Sequence, residues 1–237
     1  MALTLIGTGH VLQIDAAIRD AILAIRPEVV AVELDNGRLR ALLDRRAGRP
    51  MPPARGFIAK KLQAFQEQMA LHYGTQSGAE MLAAVDAART IGARILLIDR
   101  PINETMRRAI KEITWREKFR GAGMFLKNGA KALWNRPTSA DMEEEVNRVL
   151  HDPSAALAEM GKDFPSLMRV VIEERDEIMA RAIQDLENVV AVVGDGHVPG
   201  MAERLALQLP VVYRLADVQA GRLPKPDSYS FGFTVST

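Results

Sequence analysis

The stretch Val189-Val190-Ala191-Val192-Val193-Gly194-Asp195-Gly196-His197 decides the fold of this 237-residue chain. A run of apolar, mostly β-branched residues is typical of a strand buried on both faces of a parallel sheet. The glycine turn after the run ends the strand and places His197 just beyond it. The N-terminal stretch from Leu3 to His10 repeats this order of an apolar run, G-x-G and a histidine. The two stretches therefore predict parallel strands that deliver His10 and His197 to one edge of a sheet.

Helical and extended patterns alternate in the chain between and after these stretches. Apolar residues at helical spacing predict a helix over 15–25 with Asp15 as its N-cap, and 29–34 reads as the next buried strand. Such a βαβ unit makes its two strands parallel. Further strands are predicted at 94–98 and 210–215, and a helix at 201–209. The fold class is accordingly α/β, with a mostly parallel central sheet and flanking helices.

One domain over 1–237 accounts for the whole chain, with a large helical insertion at 103–188. That segment contains helical patterns and no strand pattern, although strands are predicted on both sides of it. Helices are also expected at 36–46, 57–73 and 79–90, and the period-two pattern of the tail predicts an edge strand over 229–235.

The composition excludes several classes of protein and site. The chain has no cysteine, so it has no disulfide and no thiolate nucleophile, and any metal must be held by His, Asp or Glu. The formal charge of +1 provides no field for nucleic acid. The sequence contains no apolar run of about 18 residues, and its first residues have a strand pattern without the basic start typical of a signal peptide. We expect a cytoplasmic protein without integral membrane association.

The charges are unevenly distributed within the predicted insertion. Residues 100–136 carry ten basic and three acidic side chains, whereas 141–187 carry thirteen acidic and five basic ones. The basic stretch also contains aromatic residues, namely Trp115, Phe119, Phe125 and Trp134. Such a helix either contacts a membrane or a partner, or lies on the surface paired with an acidic neighbour; the charge pattern favours the second interpretation.

Three side chains at predicted strand exits form a candidate metal site. Glu33 ends an apolar strand, so its carboxylate is expected beside His10 and His197, with the imidazoles exposed to substrate. Two histidines and a carboxylate suit zinc, manganese or cobalt and leave positions open for water and substrate. Glu33 could instead cap the next helix or pair with Arg38, and for Asp35 capping is the expected role.

Further polar residues are expected around this site. Asp99 follows the third strand and is a candidate further metal ligand, a partner that orients a histidine ligand, or an ion-pair partner of Arg100 or Arg107; the second role is the expected one. Arg175 is the residue of the charged run 173–177 that we place inward, to hold a substrate carboxylate or to form a buried ion pair. Glu80 opens a helix as a possible general base, although a carboxylate at a helix N-terminus needs no site to explain it.

Taken in order, these motifs resemble the TraB/PrgY family. The matching segments are Gly7-Thr8-Gly9-His10, Val32-Glu33-Leu34-Asp35 with Arg38, Gly78-Ala79-Glu80-Met81, Asp99-Arg100-Pro101 with Thr105 and Arg107, Glu174-Arg175-Asp176, and Val193 to Gly200. The family is similar to the Tiki proteases and is thought to share the fold of erythromycin esterases and ChaN-like haem-uptake proteins. Unlike many members, this chain shows no hydrophobic C-terminal spans.

The resemblance implies a site built from His10, His197 and Glu33. It also implies manganese- or cobalt-dependent peptidase chemistry, as in the Tiki branch, or peptide-pheromone shut-off, as in the PrgY branch. We assign Arg38, Arg175 and Arg107 to substrate binding, and Asp99 and Asp195 to orientation of the metal ligands.

The sequence therefore favours a metal-dependent hydrolase of a peptide or a small amide or ester, with Glu80 as candidate base. A metal-free variant uses His10 as base, oriented by Glu33. The alternative is a non-catalytic protein that binds or sequesters a peptide, with the basic aromatic stretch and a proline-rich loop at 48–53 in its favour. Haem or metal carriage is a third possibility, and a homodimer is compatible with each.

Overall fold

Five parallel strands form the centre of the computed structural model, which describes residues 2–9, 14–49, 78–121, 123 and 161–226. They are β1 (Leu3–Thr8), β2 (Val29–Val32), β3 (Arg94–Leu97), β4 (Val189–Gly194) and β5 (Val211–Tyr213). Their order across the sheet is β3-β2-β4-β1-β5. The expected α/β class with a parallel sheet is confirmed.

The register of β4 brings the two G-x-G-H stretches together. β4 pairs with β1 on one side and β2 on the other, with Thr8 opposite Gly194 and Val32 opposite Val192. The carboxyl ends of all three strands therefore meet at one edge of the sheet. Open α/β sheets bind ligands outside this edge.

Helices cover both faces of the sheet. In chain order they are α1 (Asp15–Ile25), α2 (Asn36–Arg46), α3 (Ala79–Ile91), α4 (Ile102–Glu112), α5 (115–121), α6 (Pro165–Met168), α7 (Glu174–Ile183), α8 (Val198–Arg204) and α9 (Leu215–Gln219). A π-helical turn, Arg169–Glu173, joins α6 to α7 without a break. Short 3-10 turns at Asp195–His197 and Ala206–Gln208 flank α8.

Alternate residues of the strands pack into two separate hydrophobic cores. Ile6, Val30 and Val192 lie in the core beneath α1, α3 and α9. Leu5, Ala31 and Val193 lie in the core beneath α7 and α8. Burial on both faces explains why these strands are apolar at consecutive positions instead of alternating with polar residues.

Local sequence explains where several helices begin. The Asp35 side chain caps α2 by accepting from the backbone N–H groups of Gly37 (2.7 Å) and Arg38 (3.1 Å), as expected. Asp15, by contrast, is the first helical residue of α1 and makes no cap, so that prediction is wrong. The predicted helix 201–209 begins earlier, at Val198, because Pro199 is favourable in a first helical turn, and it ends at Arg204.

Glu117 connects two helices of the predicted insertion. Thr114 and Glu117 form a reciprocal capping box at α5, with the Thr114 N–H donating to Glu117 Oε2 (2.7 Å) and the Glu117 N–H donating to Thr114 Oγ1 (3.3 Å). Glu117 Oε1 also accepts from the Ser166 N–H at the start of α6 (2.7 Å). One buried carboxylate thus caps α5 and α6 together.

Several predicted elements lie outside the described residues: the helix 57–73, the edge strand 229–235, and the part of the insertion that contains Phe125 and Trp134. Where the insertion is described, between β3 and β4, it is helical. No helix among the described residues combines the length and hydropathy needed to span a membrane.

Two glycines on either side of α3 provide a matched test of packing. Gly78 and Gly92 both have left-handed φ angles, +92° and +72°. A Cβ at Gly78 would lie 2.6 Å from Leu42 Cδ2, whereas a Cβ at Gly92 would meet nothing within 4 Å.

We expect Gly92→Ala to lower the free energy of unfolding by about 1 kcal/mol from backbone strain alone. Gly78→Ala should cost roughly 1–3 kcal/mol more. Urea denaturation of both variants measures the difference, and equal losses would contradict the packing argument.

The pKa of Glu117 predicts an acid-sensitive junction between α5 and α6. Burial alone would raise this pKa, but the hydrogen bonds from Thr114 and Ser166 lower it from 4.5 to about 2. Its contribution to stability is therefore complete above about pH 4.5 and declines as the pH falls toward 2. We expect Glu117→Gln to be less stable than wild type at neutral pH, with the gap narrowing across this window. Denaturation at a series of pH values measures the difference in unfolding free energy between wild type and Glu117→Gln. A difference that stays constant with pH would show that the ionisation of Glu117 does not stabilise the junction.

Candidate functional site

A buried cluster of charged groups occupies the carboxyl edge of the sheet. Glu33 follows β2, Asp99 follows β3 and His197 closes the 3-10 turn after β4. Arg175 and Asp176 reach them from the first turn of α7, which runs antiparallel to β4 and so begins at this edge. The site therefore joins three strand exits to one helix of the insertion.

His197 is fixed by Asp176. Its Nδ1 lies 2.6 Å from Asp176 Oδ1, and both residues are buried. Because a carboxylate only accepts hydrogen bonds, Nδ1 is the donor, and Nε2 is the ring nitrogen that faces away from Asp176. The imidazole is 5% exposed. The expectation of an exposed histidine is thus wrong, because α7 and α8 cover the strand exit.

Glu33 contacts three other members of the site: Gly194, Arg175 and His197. Its Oε2 accepts from the Gly194 N–H at the end of β4 (2.6 Å). Its Oε1 pairs with the Arg175 guanidinium and lies 3.5 Å from His197 Nε2. The predicted proximity of Glu33 and His197 is thereby confirmed.

Arg175 forms the buried ion pairs that hold the strand exits together. It donates to Asp99 through Nε (3.0 Å) and a terminal nitrogen (2.8 Å), in addition to its contact with Glu33. Burial opposes its charge, but the hydrogen bonds and charges of Asp99 and Glu33 outweigh burial and raise the Arg175 pKa. Arg38, from α2, donates to the same Asp99 (2.8 Å). Among the described residues, Asp99 thus binds two arginines and contacts no histidine.

The π-helical turn places two consecutive residues of α7 in the site. Arg175 points to Glu33 and Asp99, Asp176 points to His197, and Glu174 instead pairs with Arg100 and Arg108. The extra residue of a π-turn shifts the helix face, and such turns are frequent at functional sites. Asp176 is the residue that the sequence argument missed, although it belongs to the Glu174-Arg175-Asp176 segment.

Arg100 supports the cluster from β3 and was not predicted as a site residue. Its guanidinium donates to Thr105 Oγ1 (2.9 Å), to Glu174 Oε2 (2.9 Å) and to the Val170 carbonyl of the π-turn (2.7 Å). Hydrogen bonds from Arg108 and Arg100 lower the Glu174 pKa to about 2, against the effect of burial. These contacts hold the π-turn against the exit of β3.

Two glycines at the carboxyl edge, Gly7 of the first G-x-G-H stretch and Gly200 of α8, allow this close packing. A Cβ on Gly7 would overlap with the Asp195 carboxylate, and a Cβ on Gly200 would overlap with that of Asp176. Asp195 itself accepts from Arg214 Nε (2.8 Å) and the Leu215 N–H (2.8 Å), which ties β4 to the start of α9. Among the described residues it contacts the start of α9 and not the imidazole of His197, and its role in orienting a ligand stays a prediction.

The remaining predicted residues are distributed as follows. Glu80 is buried in the first turn of α3, whose N-terminus lies at the carboxyl edge because α3 runs antiparallel to β3. Arg107 is exposed on α4 and donates to the Asn103 carbonyl (3.3 Å), away from the buried cluster. His10 lies outside the described residues, so its distance from His197 stays a prediction.

The donor atoms partly fit a divalent metal. The 3.5 Å between His197 Nε2 and Glu33 Oε1 matches two ligands of one ion, which lie about 3.3 Å apart for bonds of about 2.1 Å. An Asp that accepts from the other ring nitrogen is the usual partner of a metal-bound histidine. Among the described residues, however, no group of three potential ligands is arranged to hold an ion. A complete site needs a further donor, for which His10 is the prediction.

These features define a class of protein: a parallel α/β domain with a histidine–carboxylate site at the carboxyl edge, closed by a helical insertion. The particular family follows from comparison of the whole chain. Residues 2–208 match the TraB/PrgY/gumN family, and the chain belongs to it. The resemblance inferred from the motifs is confirmed.

Relatives of the chain occur in archaea and mammals. It is 29% identical over 219 residues to an uncharacterized protein of Methanocaldococcus jannaschii, covering 85% of this chain and 52% of the relative. It is 28% identical to TraB domain-containing proteins of Bos taurus over 246 residues and of Homo sapiens over 247, covering 87% of this chain and 63% of each relative. The chain thus spans between half and two thirds of these relatives.

Removal of Arg175 tests the buried ion pairs. We expect Arg175→Met to lower the free energy of unfolding by roughly 3–5 kcal/mol, because Glu33 and Asp99 lose a buried cation. Arg181→Met on the same helix removes a mostly exposed pair with Glu177 and should cost less than about 1 kcal/mol. Chemical denaturation compares the two. Equal effects would show that the cluster contributes no more than a surface pair.

Proposed function

We propose that this protein is a metal-dependent hydrolase of peptide-like substrates, with His197 and Glu33 among its metal ligands. The alignment of Asp176, His197 and Glu33 carries the proposal. Asp176 fixes the ring so that Nε2 faces Glu33 Oε1 at 3.5 Å. When the imidazole is neutral, both atoms are acceptors and would offer two ligands to one cation. The peptide-like substrate class rests on the resemblance to Tiki proteases.

The chemistry of the donor set supports a bound cation. Glu33 offers a carboxylate beside the imidazole of His197, and these are ligand types that zinc, manganese and cobalt accept.

Each residue has a distinct role in the proposed site. Asp176 holds the His197 ring in one orientation through Nδ1. Arg175 and the Gly194 N–H hold the Glu33 carboxylate from two sides, which limits the positions it can adopt. Arg38 has a partly exposed side chain and is the better candidate to bind a substrate carboxylate, because Arg175 is already engaged on two acids.

When bound, a divalent ion of manganese, cobalt or zinc would supply Lewis acidity for the scissile carbonyl and a water of lowered pKa. His10 is the proposed further ligand. Glu80 is the proposed general base, since its helix begins at the same edge of the sheet. A base in this position takes the proton from the attacking water and returns it to the leaving amine.

A metal-free hydrolase is the second candidate, and one observation favours it. Arg175 already neutralises Glu33, which reduces the need for another cation at Oε1. In that case the Asp176–His197 pair would act as a base, with the carboxylate stabilising the imidazolium that forms.

Metal affinity and turnover distinguish the two candidates. We expect wild-type protein purified without chelators to contain a divalent metal and to cleave members of a peptide library. His197→Gln should lose both, and Asp176→Asn should weaken metal binding about 10- to 100-fold through loss of ring orientation. Glu177→Gln, the adjacent carboxylate on the outer side of α7, serves as the matched control and should retain both properties. Elemental analysis, calorimetric titration with the metal alone and peptide mass spectrometry provide the readouts.

Other outcomes separate the alternatives. Turnover that depends on His197 in metal-depleted protein would support the metal-free candidate. Tight peptide binding without turnover would instead indicate a sequestering protein. If Asp176→Asn and Glu177→Gln leave metal binding and turnover equally unchanged, the proposed site is wrong.

A further inference from the structure

Two consecutive helices of the insertion expose rows of large apolar side chains. On α4 the row has four-residue spacing, and on α5 it consists of two aromatic residues; together they are Ile102, Met106, Ile110, Trp115 and Phe119. Trp115 is 74% exposed and Phe119 is 72% exposed. Rows of this kind on a folded protein mark a contact surface. We call these five residues the apolar rows.

The buried side chain of Glu117 fixes the orientation of α5. Glu117 is buried and bonded to Ser166, and residues two before and two after it point to the opposite side of the helix. Trp115 and Phe119 therefore face outward, with ring centroids 6.1 Å apart. On α4, Met106 and Ile110 lie beside the buried Thr105 and Ala109, at the border of the packed face, and are 46% and 64% exposed.

Basic side chains lie beside the apolar rows. Arg107 and Lys111 follow Met106 and Ile110 around α4, and Arg116 and Lys118 lie on either side of the outward face of α5. The Lys118 ammonium is 5.2 Å from the centroid of the Trp115 ring. All four basic residues are exposed, and in the described part of the chain none of them forms an ion pair.

Other basic residues of these helices behave differently. Arg108 pairs with Glu174, and Arg120 pairs with Asp163. Pairing with an acidic neighbour, the interpretation favoured by the charge pattern, thus holds for these two cations. The four cations next to the apolar rows keep their charge available for a partner.

We propose that α4 and α5 rest on an anionic lipid surface. The apolar rows would enter the interface between headgroups and acyl chains, and Arg107, Lys111, Arg116 and Lys118 would contact the lipid phosphates. Tryptophan and phenylalanine on one face with lysine and arginine beside them are typical of helices that lie in the membrane interface. Protein–protein interfaces are enriched in tryptophan, phenylalanine, methionine and arginine but depleted of lysine, so Lys111 and Lys118 are the residues that favour lipid over a second protein.

Binding to vesicles tests this proposal with the full chain. We expect co-sedimentation with vesicles of phosphatidylcholine and phosphatidylserine, and little with phosphatidylcholine alone, decreasing as salt is raised. The double variant Trp115→Ala, Phe119→Ala should reduce the partition coefficient roughly tenfold or more. Lys111→Ala and Lys118→Ala should each reduce it about fivefold.

A matched control removes apolar surface elsewhere. Leu207 and Leu209 are also highly exposed, at 97% and 85%, in the segment before β5. The double variant Leu207→Ala, Leu209→Ala should bind vesicles like wild type.

In a Trp134→Phe background, Trp115 is the single tryptophan, and its fluorescence emission should shift to shorter wavelength when the protein binds anionic vesicles.

Three results would overturn the proposal. They are absence of binding to anionic vesicles, equal loss of binding in the leucine control, and a Trp115 emission that does not change on binding. Sedimentation velocity tests whether a second copy of the chain, and not a lipid surface, contacts the apolar rows. A dimer that dissociates in the Trp115→Ala, Phe119→Ala variant would assign the rows to self-association instead.

Discussion

A buried arginine needs carboxylates around it, and this requirement organises the protein. Arg175 comes from the insertion, and its partners Glu33 and Asp99 come from the exits of two neighbouring strands. An uncompensated charge in such a place costs several kcal/mol. The insertion helix therefore packs on the sheet only in the position that completes these pairs. That same position brings Asp176 to His197.

Structural and candidate functional roles are shared within one network. Arg100 holds the π-turn to the exit of β3, and the π-turn in turn gives α7 the face on which Arg175 and Asp176 both reach inward. Asp195 ties β4 to α9 in the space that Gly7 leaves beside it. Connected hydrogen bonds of this kind rigidify a site, and each depends on its neighbours being satisfied. The histidine–carboxylate pair is consequently held before any ligand arrives.

The sequence predicts the sheet well because its strands are buried on both faces and bounded by glycine turns. It also places Glu33 beside His197 from strand exits alone, and assigns Asp35 to a helix cap. It does not predict Asp176, because helical periodicity in the run 173–177 cannot reveal that a π-turn has shifted the helix face. Nor does it predict the burial of His197, since the periodicity of α7 and α8 does not reveal how these two helices pack over the strand exit. Arg107 follows the Asp99-Arg100-Pro101 segment closely in sequence, yet on α4 its side chain is exposed to solvent and lies away from the site.

The strand order has a consequence for biosynthesis. β4 separates β1 from β2, and the bond from Thr8 to the Val193 carbonyl spans 185 positions. On the ribosome, the first two strands therefore emerge long before the strand that must enter between them. Until then their apolar edges remain without a partner, which is the condition under which nascent chains aggregate or recruit chaperones. The nascent N-terminal half has to be kept from misassociating while the insertion is translated.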